Sequence, residues 1–98
     1  MTHAATALER LQTWYLDRCD GDWEHSFGIT IETLDNPGWM VTIDLQDTEW
    51  QGLCEAREVV KRSDTDWIET EFIDGKFVGA GGAANLNELL ELFLRRVT

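Results

Sequence analysis

The segment WIETEFIDGKFVG, from Trp67 to Gly79, constrains this chain more than any other. Asp74-Gly75 stands between two runs that alternate apolar and polar residues. That pattern signals a two-residue type I′ hairpin, because both central positions of the turn need positive φ, which Asp and Gly tolerate. Pairing across the turn sets Phe72 opposite Phe77 on one face, with Ile68 and Thr70 following inward and Glu69, Glu71 and Lys76 outward. A second hairpin is written upstream. Phe27, Ile29, Ile31 and Thr33 alternate against Gly28, Thr30, Glu32 and Leu34, and Trp39, Val41, Ile43 and Leu45 alternate against Met40, Thr42, Asp44 and Gln46. Asp35-Asn36-Pro37-Gly38 joins them, Pro fixing φ and Gly supplying a positive one. Keeping both apolar sets on one face demands an odd number of loop residues or a bulge, since a one-residue slip turns a whole strand over. Thr30, Glu32, Thr42 and Asp44 then share the outward face.

Helical patterns bracket these strands. Thr6 and Glu9 have capping-box spacing, and Leu8, Leu11, Tyr15 and Cys19 recur on one helical face, with Trp14 and Leu16 beside it and Gly21 as the stop. Near the end of the sequence, Asn85 and Glu88 read as a cap. Leu86, Leu89, Leu90, Phe93, Leu94 and Val97 follow as an apolar stripe, and Arg95 and Arg96 lie toward the negative end of the helix dipole. From Leu53 to Arg62 the spacing of Leu53, Ala56, Arg57 and Val60 fits a helix, whereas β-branched Val59 and Val60 favour a strand, the preferred assignment. Gly79, Gly81 and Gly82 lack the Lys-Ser/Thr of a phosphate loop and read as a flexible connector. The expected fold is α+β, one domain over 1–98: an antiparallel sheet of about five strands in a meander, flanked on one face by an N-terminal and a C-terminal helix.

Charge narrows the function. The chain has 98 residues and a formal net charge of -11. Between Arg18 and Arg57 lie Asp20, Asp22, Glu24, Glu32, Asp35, Asp44, Asp47, Glu49 and Glu55, with His25 the only other titratable cation. A field of this sign recruits cationic partners and opposes nucleic acid and anionic membranes. The sequence start lacks a secretory pattern and no stretch resembles a membrane span, so a cytoplasmic location is expected.

Sites for chemistry are weak. Asp17, Asp20, Asp22 and Glu24 resemble a calcium loop only in composition, and Glu32 with Asp44 would serve acid-base hydrolysis only if they flanked a cleft. Cys19 and Cys54 are expected to be reduced and buried, although Cys54 near Arg57, or Cys19 near His25, could be drawn as a thiolate site; His3 lies near the start of the sequence. No cofactor and no metal are implied. Of five tryptophans, Trp23 and Trp50 stand beside acids in connections and are expected to be partly exposed, which would suit an aromatic contact with a basic partner.

Several segments are similar to those of the bacterial immunity protein 53 family: LERLQTWYLDRCDGDWEHSFGITIETLDNPGW, then VTIDL with Thr48 soon after, and a close running from Trp67 through NLNELLELFL to Leu94. DGDWEH and ETLDNPGW carry most of the resemblance, which spans nearly the whole chain. It implies a partner that binds and neutralises a cognate polymorphic toxin domain, with no catalytic residues of its own. The stretch without Lys or Arg, and not the resemblance, sets the expected partner-binding residues, Asp20, Asp22, Trp23, Glu24, Glu32 and Asp44, facing a basic toxin domain. The competing classes are a small sulfurtransferase-like thiol enzyme using Cys54 or Cys19, and a general protein-interaction adaptor.

Overall fold

A computed structural model describes residues 4–98, so His3 lies outside the described residues. The elements are α1 (Ala7–Arg18), α2 (Trp23–Ser26), β1 (Ile29–Leu34), β2 (Gly38–Asp44), β3 (Glu55–Lys61), β4 (Trp67–Ile73), β5 (Lys76–Gly82) and α3 (Leu86–Val97). The five strands form one antiparallel sheet, and α1 and α3 pack together on one of its faces, an α+β arrangement. The ambiguous stretch after Leu53 is a strand, as its β-branched pair favours. Asp74 and Gly75 have φ of 54° and 71°, and Phe72 pairs with Phe77, as the type I′ reading requires. Leu34 pairs with Gly38, leaving Asp35, Asn36 and Pro37 as an odd-numbered loop that keeps the apolar residues of β1 and β2 on one face.

The strand order β1-β2-β5-β4-β3 is not a meander throughout. The β1–β2 hairpin and the three-stranded β3–β4–β5 meander are joined edge to edge by β2 and β5, and the segment 45–54 crosses between them, carrying Leu45, Trp50 and Leu53 onto the core. Burial explains the order. β5 is the most buried strand and takes the centre, while β1 and β3, exposed along most of their length, take the edges. The glycines of β5 are therefore not a flexible connector. A Cβ on Gly79 would stand 3.1 Å from the Phe77 ring and 3.2 Å from Leu89 Cδ2, so glycine lets α3 lie close on the sheet. Gly38 does not supply the positive φ expected of it; a Cβ there would strike the Gly81 carbonyl across the β2–β5 pair.

Thr6 and Glu9 form the expected capping box at the start of α1. The buried face is rotated from the expected one, however. Ala7, Leu11 and Trp14 are buried, whereas Leu8 is 54% exposed and Tyr15 and Leu16 are also exposed. Trp14 decides the rotation: its ring meets Phe93 edge-on at 5.1 Å, and burying one indole outweighs burying Leu8 and Tyr15 partially. The stripe of α3 is core as expected, with Leu89, Leu90, Phe93, Leu94 and Val97 all buried. Asn85 occupies the N-cap position without a side-chain capping bond; its Nδ2 donates instead to Asp66 Oδ1 at 2.9 Å and Glu88 Oε1 at 3.2 Å.

Candidate partner-binding surface

The run Asp20 to Glu24 folds on its own carboxylates. Asp20 Oδ1 accepts from the backbone N–H groups of Asp22 at 2.9 Å and Trp23 at 3.0 Å, while the Glu24 carboxylate accepts from Asp20 N–H at 3.0 Å and Gly21 N–H at 2.9 Å. Gly21, at φ 98°, supplies the left-handed residue the reversal needs. Backbone N–H groups, those of Trp23 and then Asp22, hold the Asp20 carboxyl below the usual carboxylate range. Glu24 is lowered as well, first by its own N–H, then by those of Gly21 and Asp20 and by the neighbouring His25. Both acids thus build the loop and carry a persistent charge. Their use as hydrogen-bond acceptors leaves little of the calcium-loop resemblance, and among the described residues no group of three or more His, Cys, Asp or Glu is set to hold a metal.

Trp23 is not a partly exposed aromatic. It is 5% exposed, its indole N–H donates to the Gln46 carbonyl at 2.9 Å, and its ring meets Trp14 edge-on at 6.1 Å. The apolar side chains of Trp14, Tyr15 and Phe27 give the ring more burial than an exposed loop could, so it pins the acidic loop to the core. Trp50 is half-buried as expected. The Arg18 guanidinium lies over both Trp14 and Trp50, at 5.2 and 5.1 Å, which commits the nearest base to a cation–π contact.

Glu32 and Asp44 do point to the outward face of the sheet, on the register of β1 with β2. Asp44 stands level with Gly28 and Glu32 level with Met40, four residues further along, which is about 13 Å of strand. They do not flank a cleft, and no acid-base pair results. Asp44 is half-buried and its Oδ2 accepts from the Gly28 N–H at 2.9 Å, fixing the entry into β1. Asp22 and Glu32 are exposed, and their carboxylates have no hydrogen-bond or ion-pair partner among the described residues. Asp20, Asp22 and Glu24 thus lie in the loop that precedes β1, Asp44 is tied to Gly28 at the entry of β1, and Glu32 lies farther along the same strand.

Five of the eight bases are paired elsewhere. Arg10 pairs with Glu91, Arg57 with Glu69, Lys61 with Asp64, Arg62 with Asp66 and Glu88, and Arg96 with Glu55. From Asp20 to Glu49 no acid has an ion pair among the described residues; Lys76 stands opposite Asp44 on the β2–β5 register and Arg18 precedes the acidic loop, so the acids of this side outnumber the bases near them and the local field stays negative. The cysteines are not buried hydrophobes: Cys54 is exposed, and half-buried Cys19 closes α1 with its Sγ donating to the Tyr15 carbonyl at 3.3 Å. Both are free, Cys19 lying where the chain leaves α1 and Cys54 where it enters β3.

Beside the acids lies an apolar feature that the sequence pattern concealed. Leu11, Gln12, Tyr15, Gly28 and Ile29 line a groove of about 320 Å³ between α1 and β1. Leu8 and Tyr15 looked like core because they share a helical face with Leu11; the seven-residue spacing of Ala7 and Trp14 marks the face that is buried.

Compared with known proteins, the chain matches the family described as Immunity protein 53 over residues 8–98. The chain belongs to this family. DGDWEH, the segment that carried much of the resemblance, is in this immunity protein the self-capped loop that holds Asp20, Trp23 and Glu24. No curated protein and no solved structure matches the chain. No helix among the described residues is long and apolar enough to cross a membrane.

Proposed function

We propose that this immunity protein neutralises a basic cognate toxin domain by binding it on the side built from the α1–β1 loop and β1. Asp22 and Glu32 are the freely accessible charges there, and Asp20, Glu24 and Asp44 supply fixed negative charge behind them. The observation that carries the reading is the division of the bases: six ion pairs from five of the eight bases neutralise acids of the α3, β3 and β4 side, whereas the acids from Asp20 to Glu49 have no ion pair among the described residues and only Lys76, opposite Asp44, stands across from one of them in the sheet. A local field of one sign speeds encounter with a cation-rich partner, and contacts formed afterwards set the dissociation rate. Trp23 acts in this scheme as a support for the loop.

Protection is by binding without turnover, in the cytoplasm where an incoming toxin would act. Cys19 spends its thiol on a helix end, and no base hydrogen-bonds to the exposed Cys54 among the described residues, so neither thiol is set up as the activated nucleophile of the sulfurtransferase alternative. Co-expression with the cognate toxin domain tests the proposal: growth should be restored by the wild-type chain and by a Cys19→Ser/Cys54→Ser chain alike. Toxicity that persists with the wild-type chain, or protection that needs a thiol, would overturn it.

A further inference from the structure

The two edges of the sheet are built differently. The β3 edge carries a register shift between Glu55 and Glu58 and the bases Arg57 and Lys61, devices that stop a sheet from adding another strand. The β1 edge has none of them. Ile29 to Leu34 pairs with β2 without interruption over six positions and contains no Lys, Arg or Pro.

The hydrogen-bond phase shows what β1 offers. Asp44 N–H donates to the Gly28 carbonyl at 3.0 Å, so by antiparallel alternation Thr30, Glu32 and Leu34 turn their backbone groups toward β2. On the other side of β2, Leu45 N–H donates to the Gly75 carbonyl at 2.7 Å, which places the alternate residues of β2 against β5 and confirms the phase. The N–H and C=O groups of Ile29, Ile31 and Thr33 therefore face open solvent along the edge. Their side chains lie on the helix-side face, where α1 leaves the groove of Leu11, Gln12 and Tyr15 open and Ile31 stays 37% exposed. The opposite face of the same strand carries Glu32.

We propose that this edge is where the toxin domain docks, by laying an extended segment against β1 as a sixth strand. This rests on the binding function above and adds its mode. Such a segment alternates apolar side chains, which enter the α1–β1 groove, with Lys or Arg, which meet Glu32 and the acids at the start of β1. Backbone bonding supplies affinity, and the groove and the charges supply selection. Charge complementarity chooses a basic strand over a second copy of this chain, since two β1 edges side by side would bring together chains of net charge -11 each.

Amide hydrogen exchange on the full chain, alone and with the cognate toxin domain, tests the mode. Exchange at Ile29, Ile31 and Thr33 should slow on complex formation while the amides of β3 do not change. Ile31→Lys, an inward charge on the edge, and Thr33→Pro, which removes an outward N–H, should each weaken binding by roughly tenfold or more, with Val59→Lys on the opposite edge within about twofold. A complex that forms with unaltered exchange along β1 and normal affinity in both variants overturns the docking mode alone. Absence of any complex overturns the binding function and the mode with it, and protection of β1 that rises with concentration of the chain by itself would assign the edge to a second copy.

Discussion

Replacing Trp23 separates a support for the acidic loop from an exposed binding residue. The ring is 5% exposed and packs against Trp14, Tyr15 and Phe27, so Trp23→Ala removes a buried aromatic and should cost about 3 to 5 kcal/mol. A domain of this size has about 5 to 15 kcal/mol in all, so the loss should lower Tm by roughly 15 to 30 °C. Trp23→Phe keeps most of the ring contact and loses the indole N–H bond to Gln46, whose carbonyl lies in an exposed residue and can turn to water. Its cost should be only about 0.5 to 1.5 kcal/mol. Urea unfolding followed by circular dichroism measures both, and toxin binding by each folded variant completes the comparison. The Phe variant should bind normally, because Asp20 and Glu24 still close the loop. If Trp23→Ala left the unfolding midpoint unchanged and only hastened toxin dissociation, the ring would be an exposed contact and the packing argument would fail.

Phe93 is fully buried between Trp14 and Phe77, and Phe93→Ala should cost about 3 to 5 kcal/mol, read as a lower midpoint in denaturant with wild-type secondary structure below it. Asp20 and Glu24 sit below the ordinary carboxylate range in the folded chain, so the stability they give is present above about pH 4 and is lost as pH falls through their folded values. Between about pH 5 and pH 3 the wild-type chain should therefore lose more stability than Asp20→Asn with Glu24→Gln, measured by urea titration at each pH. Cys54 is exposed, so Cys54→Ala should alter stability by no more than about 0.5 kcal/mol and leave protection of cells intact.

Local signals in the sequence reached far into this fold. Alternation and turn chemistry set both hairpins, down to the Phe72–Phe77 pair, and the capping box and apolar stripe set the two long helices. What they could not give was order in space. Whether β3 or β5 lies beside β2 depends on which strand is the more buried, and glycines that permit close packing read locally as a loose connector. The short helix α2 was hidden for a similar reason, since its four residues have no period to recognise. At the candidate surface the acids were visible as a gap in Lys and Arg. The fate of Trp23 was not, because an aromatic flanked by acids looks the same in sequence whether its indole faces solvent or the Gln46 carbonyl.

Association kinetics with the cognate toxin domain, measured from low to physiological salt, test electrostatic recruitment most directly. Asp22 and Glu32 are exposed and unpaired among the described residues, so Asp22→Lys with Glu32→Lys changes the field without removing a contact that holds the fold. The wild-type association rate should fall steeply as salt rises, and the double reversal should slow association at low salt and flatten that dependence. A rate indifferent both to salt and to the two reversals would contradict recruitment by this surface and place the toxin on another face.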